Sequence, residues 1–193
     1  MMGNEMRLFI AIGIPAVVKT SINGIIGKIG ADSRGVRWVP TENMHLTVKF
    51  LGDVRDDLIP MIKERLLPLG IHHQPFTVDV RGAGAFPNLR TPNVLWIGIE
   101  ASERLKSLFM EIDISLSEIG FVREDRKFSP HLTVGRVRDR RGIDPIVKEL
   151  ATYKDAFFGT IEVREILLMK SVLKPSGAEY SEVVAIRLGK ENE

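Results

Sequence analysis

His45-Leu46-Thr47-Val48-Lys49-Phe50-Leu51-Gly52 is answered further along the chain by His131-Leu132-Thr133-Val134-Gly135-Arg136, and this pair of stretches decides how the sequence reads. Side chains two apart in a strand share a face. His45 and Thr47 therefore fall on one side and Leu46 and Val48 on the other, and His131, Thr133, Leu132 and Val134 repeat the division. Each strand can anchor in a core through its Leu/Val face and offer an imidazole and a hydroxyl to a cleft.

The chain has four histidines: His45, His72, His73 and His131. A lone histidine at a strand start is ordinarily a surface or hydrogen-bonded residue, and threonine there is ordinary β-propensity. The duplication changes that reading. At this chain's composition, two histidines sharing the next three residues by accident has a probability on the order of 0.2%. His72 and His73 lie between Gly70 and Pro75, lack the motif, and read as surface residues in a turn.

Working outward, the flanking segments repeat too. Leu8–Ile14 is echoed by Val94–Ile99, each followed by a helical pattern and then by a His-Leu-Thr-Val strand. Val78-Asp79-Val80-Arg81 is echoed by Ile161-Glu162-Val163-Arg164. Helices are expected over 16–30, around Leu58–Leu66 with an end at Pro68 and Gly70, along the Leu105–Ile119 stripe, and around Ile143–Leu150. Further strands are expected at 37–39, 76–81, 160–169 and 182–188, with a Gly/Pro/Asn-rich loop over 82–92 and Gly52 closing the first motif strand. The fold class is α+β. The whole of 1–193 reads as one domain of two pseudo-symmetric lobes, whose equivalent residues would meet across a central cleft.

Composition is that of an ordinary globular protein, 44% hydrophobic and 27% charged. No cysteine is present, which excludes disulfides, thiolate metal sites and a thiol nucleophile. The apolar run Leu8–Val18 is interrupted by Pro15 and has no small-x-small cleavage site, so it reads as a strand and helix start rather than a leader. A cytoplasmic location and no membrane association are the expectations. Net charge is +2, but 123–141 alone carries seven basic residues against three acidic ones. A cationic segment on a near-neutral protein suits a polyanion such as RNA, and equally describes a solvated surface.

Two imidazoles and two hydroxyls around one small site fit hydrolysis of a cyclic phosphodiester. A base must take a proton from water and an acid must protonate the departing ribose oxygen, from opposite sides of phosphorus. Histidine titrates near neutrality and can do either. Thr47 and Thr133 can donate to the non-bridging oxygens, and Arg136 can add a guanidinium. Two histidines without a third ligand make a poor metal site, so neither metal nor other cofactor is expected.

The pattern resembles the two-histidine phosphoesterase superfamily, in particular its RNA 2',3'-cyclic phosphodiesterase (2'-5' RNA ligase) branch. Arg7-Leu8-Phe9-Ile10-Ala11-Ile12, Trp38-Val39-Pro40, both motifs, Val94-Leu95-Trp96-Ile97-Gly98 and Tyr180, placed ahead of the last strand, carry the resemblance; Met1–Glu5 stands ahead of it. It implies a bilobal fold of two antiparallel sheets facing a central cleft, with helices outside. It also implies opening of an RNA 2',3'-cyclic phosphate end to a 2'-phosphomonoester, with His45 as proton donor, His131 as proton acceptor, and Thr47, Thr133 and Arg136 on the phosphate. ATP-independent 2'-5' RNA ligation is the alternative within the family, and a non-catalytic RNA- or nucleotide-binding module the alternative outside it. Phe86, Trp38 and Trp96 are candidates for base stacking or for the core. A monomer is the default expectation.

Overall fold

The computed structural model describes residues 5–30, 35–175 and 177–189. The strands are β1 (Glu5–Gly13), β2 (Val36–Trp38), β3 (His45–Arg55), β4 (Phe76–Phe86), β5 (Val94–Ile99), β6 (His131–Val137), β7 (Phe157–Val163), β8 (Glu165–Lys174) and β9 (Gly177–Arg187). They form two antiparallel sheets, ordered β3-β1-β8-β9 and β2-β6-β5-β4-β7. The helices are α1 (Ala16–Ile29), α2 (Ile59–His72), α3 (Glu103–Ser117) and α4 (Asp144–Thr152). α2 and α3 pack on the first sheet, while α1 and α4 pack on the second. None of the described helices is long and apolar enough to cross a membrane.

The duplication is visible in the pairing. β1 lies beside β3 as β5 lies beside β6, and Gly13 stands opposite His45 as Gly98 stands opposite His131. The copies of the third repeat pair with each other, Val78 against Ile161 in the β4–β7 ladder. Two equivalent segments can meet in antiparallel register only about a twofold axis, so the pseudo-twofold runs close to this pair.

The helices form where apolar spacing predicts them. Val18, Ile22, Ile26 and Ile29 bury the inner face of α1. Leu105, Leu108, Phe109, Ile112 and Leu116 do the same for α3, whose first turn is capped by the Ser102 hydroxyl accepting from the Leu105 N–H at 3.2 Å.

Five boundaries differ from expectation. β3 runs past Gly52 to Arg55, because Gly52 takes φ 75° beside a bulge at Leu51 and lets the strand turn rather than stop. α2 continues through Pro68 to His72, since burying Leu66 and Leu69 outweighs the lost backbone bond. The Gly/Pro-rich stretch belongs in part to β4, which extends to Phe86. The expected 160–169 strand divides at Arg164 into β7 and β8, and Tyr180 lies inside β9, not ahead of it.

The glycine at 84 is required by packing. A Cβ there would collide with Cζ2 of Trp96 and stand only 2.7 Å from Cη2, because the indole lies across the strand. Gly84→Ala is therefore expected to displace the indole and cost about 1–3 kcal/mol. In a chain of this length, thermal unfolding should move down by about 2–4 °C per kcal/mol. An unchanged melting temperature would show that the indole is not held there.

Candidate active site

One extra residue in each motif strand sets which side chains reach the cleft. In β3, Thr47 opposes Ala11 and Lys49 opposes Ile10, leaving Val48 as a bulge. In β6, Thr133 opposes Trp96 and Gly135 opposes Leu95, leaving Val134 as a bulge at the equivalent place. Residues directly opposed in a ladder share a face. His45 and Thr47 thus share the face of Gly13 and Ala11, and His131 and Thr133 that of Gly98 and Trp96. Leu46, Val48, Leu132 and Val134 are buried on the opposite side, while the four polar residues are partly exposed.

The bulge also returns the fifth residue after each histidine to the cleft face. In β6 this is Arg136, opposite Val94 and Arg37 and exposed. In β3 it is Phe50, opposite Phe9 and 70% exposed. β3 and β6 belong to different sheets and are in contact with one another.

Both rings are mounted alike. His45 Nδ1–H donates to the carbonyl of Asn43 at 2.8 Å, and His131 Nδ1–H to the carbonyl of Ser129 at 2.7 Å. A backbone oxygen can only accept, so each Nδ1 carries hydrogen and each Nε2 is left to accept or donate a proton elsewhere. The ring environments differ. His45 lies 4.8 Å from the Phe9 ring and edge-on to Tyr180 at 4.9 Å. His131 meets Phe86 edge-on at 4.9 Å, and Phe86 in turn lies 5.4 Å from Trp96. Burial holds the His45 pKa below the usual histidine value, the bond to Asn43 partly offsets this, and the Lys19 ammonium adds to the lowering. Lys19 is fixed close by, its Nζ donating to the Glu42 carbonyl at 3.3 Å.

An open cavity of about 660 Å³ adjoins the His131 side, lined by Gly84, Ala85, Asn88, Leu89, Arg90 and Trp96. Of the aromatic candidates, Phe86 stands against His131, and Trp96 lies beside Phe86 and opposite Thr133. Trp38 does neither: it packs with Val36 against Gly135 on the buried side of β6. His72 is exposed at the end of α2, but His73 is no surface residue. Its side chain is 13% exposed, and Nε2 lies 3.0 Å from Glu111 Oε2 of α3, clasping the two helices. The cationic 123–141 segment is not one patch. β6 runs through its middle, Arg123 is paired with Asp113, Arg141 with Asp139, and Arg140 bonds Asn93.

Sequence reasoning missed the support behind β3. Lys49 and Asp113 are 6% and 2% exposed, with Nζ to Oδ1 at 2.5 Å. Nζ also donates to the Val122 carbonyl at 2.7 Å, while Asp113 accepts from the Glu124 N–H at 3.0 Å and from Arg123 Nε at 3.1 Å. Burial pushes the Asp113 carboxyl up, but these donors together hold it below the usual carboxylate value. A signal exists in the sequence: Asp113 falls four residues after Phe109, on the buried stripe of α3, where a charge demands a partner.

The profile of the LigT like Phosphoesterase family matches this chain twice in succession, over residues 12–96 and 97–180, one match to each half of the duplication. The chain is 36% identical over 179 residues to the RNA 2',3'-cyclic phosphodiesterase of Archaeoglobus fulgidus, covering 92% of this chain and 98% of that one. With the protein of the same name from Thermotoga maritima it shares 41% over 177 residues, 91% of each chain. The crystal structure of TT0787 of Thermus thermophilus superposes with a TM-score of 0.81 at 27% identity, over 97% of this chain and 100% of that one. Escherichia coli LigT complexed with 3'-AMP shares the fold at a TM-score of 0.78 and 24% identity, over 97% of this chain and 100% of that one. With both halves matched and the two motif strands in matching bulged geometry, the chain belongs to the LigT-like phosphoesterase family.

Proposed function

We propose that this protein hydrolyses the 2',3'-cyclic phosphodiester at an RNA end to a 2'-phosphomonoester, without a metal, with His45 and His131 as paired acid and base. The observation that carries the reading is the identical mounting of the two rings, each Nδ1–H committed to a backbone carbonyl two residues back. The names of the Archaeoglobus and Thermotoga relatives support the substrate class. The cavity beside Trp96 leaves room for a nucleotide next to the motifs.

In the proposed step, His131 Nε2 takes a proton from water as its oxygen bonds to phosphorus. The P–O3' bond breaks, and His45 Nε2–H supplies the proton to O3'. His45 ends neutral and His131 protonated, and exchange with solvent resets both. Thr47 and Thr133 donate to the non-bridging oxygens, and Arg136 neutralises their charge. A depressed pKa makes His45 the stronger acid once protonated, and the anionic substrate offsets part of the depression. A 5'-hydroxyl RNA end in place of water would turn the same geometry to 2'-5' joining.

With an RNA oligonucleotide ending in a 2',3'-cyclic phosphate and EDTA present, the protein should yield the 2'-phosphate. His45→Ala and His131→Ala should each lower the rate by at least about a hundredfold. Full activity in either variant sinks the paired mechanism, and no turnover by the folded wild type leaves an RNA-binding module. Arg136→Ala should lower kcat/KM by about 10- to 100-fold, the scale of one charge-assisted hydrogen bond.

The pH dependence of residual activity separates the roles. In His131→Ala it should fall as pH rises through the His45 pKa, below the usual histidine value, because the donor must hold its proton. In His45→Ala it should rise with pH, because the acceptor must be free of its proton to take one from water. Reversed slopes would exchange donor and acceptor.

A further inference from the structure

β8 pairs with β1 only as far as Ser171, opposite Arg7, whereas β8 and β9 stay paired with each other out to Lys174 and Gly177. The hairpin therefore stands clear of its sheet beyond Ser171, and its β9 arm reaches the mount of His45. The Asn43 Nδ2–H donates to the Ala178 carbonyl at 2.7 Å, a partly buried bond between residues far apart in the chain. Asn43 is also the residue whose carbonyl receives His45 Nδ1–H. Two positions along β9 from Ala178, the Tyr180 ring stands edge-on to both His45 and Phe9, at 4.9 and 5.2 Å. Lys174 and Glu179 join the two arms at 2.6 Å.

These contacts constrain the imidazole from three sides. The Asn43 carbonyl fixes its rotation about the ring axis, Phe9 covers one side, and Tyr180 closes another. Asn43 is itself the end of a short 3-10 turn, Thr41–Asn43, so a side chain pinned to Ala178 keeps its carbonyl from swinging away. His131 takes its carbonyl from Ser129, in the exposed connection between α3 and β6. We propose that Asn43 and Tyr180 are positioning residues for His45, through which the β8–β9 hairpin near the end of the chain fixes the ring in the cleft. The consequence for turnover rests on the two-histidine mechanism above; the fixing of the ring does not. Displacing a reacting group by about 1 Å can cost on the order of a hundredfold in rate.

The test combines kinetics on the cyclic-phosphate oligonucleotide with NMR titration of the histidine side chains, using His131 as an internal reference. Asn43→Leu is nearly isosteric and neutral, keeps the backbone carbonyl and cannot donate to Ala178. It should lower kcat about 10- to 100-fold with KM changed less than about threefold. His45 should then titrate closer to the usual histidine value as water reaches the ring, with Lys19 still in place and His131 unmoved. Tyr180→Ala should do the same, and Tyr180→Phe, which keeps the ring, should recover most of the lost rate. Unchanged kcat and unchanged His45 titration in either folded variant, Asn43→Leu or Tyr180→Ala, overturns the proposal. So does an equal shift of His131, which would mean general loosening. A wild-type protein that turns over no cyclic phosphate defeats the mechanism instead, and the titrations still decide whether the hairpin holds the ring.

Discussion

One inserted residue in each of two strands governs what this cleft contains. A regular strand would keep strict alternation and send the fifth residue after each histidine to the buried side, with Leu46 and Leu132. The bulges at Val48 and Val134 leave one residue without a partner and reverse the alternation beyond it. Arg136 and Phe50 are thereby returned to the histidine face, and Lys49 and Gly135 are sent inward. Each motif is in effect a six-residue device: an imidazole, a hydroxyl, and a third group brought back by the bulge.

The inward positions show how far the two copies have diverged. Gly135 has no side chain, because Trp38 and Val36 already fill the space over it. Lys49 carries an ammonium into the same kind of place, and the fold answers with the Asp113 carboxylate and the Val122 carbonyl. A buried pair of this kind adds little net stability, since desolvation consumes most of the attraction, but removing one member strands the other at a cost of about 3–5 kcal/mol. Its effect here is geometric. One carboxylate ties the His45 strand to α3 and to the start of the segment that leads to His131.

The duplication, the α+β class, the alternation and the paired polar residues are legible in the sequence because they depend on local period and repetition. Helix α1 follows from the helical spacing of Val18, Ile22, Ile25, Ile26 and Ile29, and β6 begins and ends where its pattern does. What is not legible depends on partners distant in sequence. Nothing near Gly52 tells that a bulge, not a strand end, uses its positive φ. Nothing near Pro68 tells that Leu66 and Leu69 are buried deeply enough to carry a helix through it. The charge of the 123–141 segment reads as one surface, yet a strand divides it and Asp113 and Asp139 occupy two of its arginines. Asn43 reads as a turn residue, and only the fold reveals Ala178 beside it.

A duplicated site faces a problem that a single one does not. Two histidines in equal surroundings would share their protons equally, whereas the proposed reaction needs one to give while the other takes. The copies share the carbonyl on Nδ1, so the distinction has to come from what surrounds the rings. Around His45 stand Phe9, Tyr180 and the Lys19 ammonium, which together exclude water and oppose a positive charge. Phe9 comes from β1, Lys19 from the helix that crosses to the other sheet, and Tyr180 from β9. None of the three belongs to the motif itself. The motif supplies the reacting groups twice over, and elements outside it make the two rings unlike.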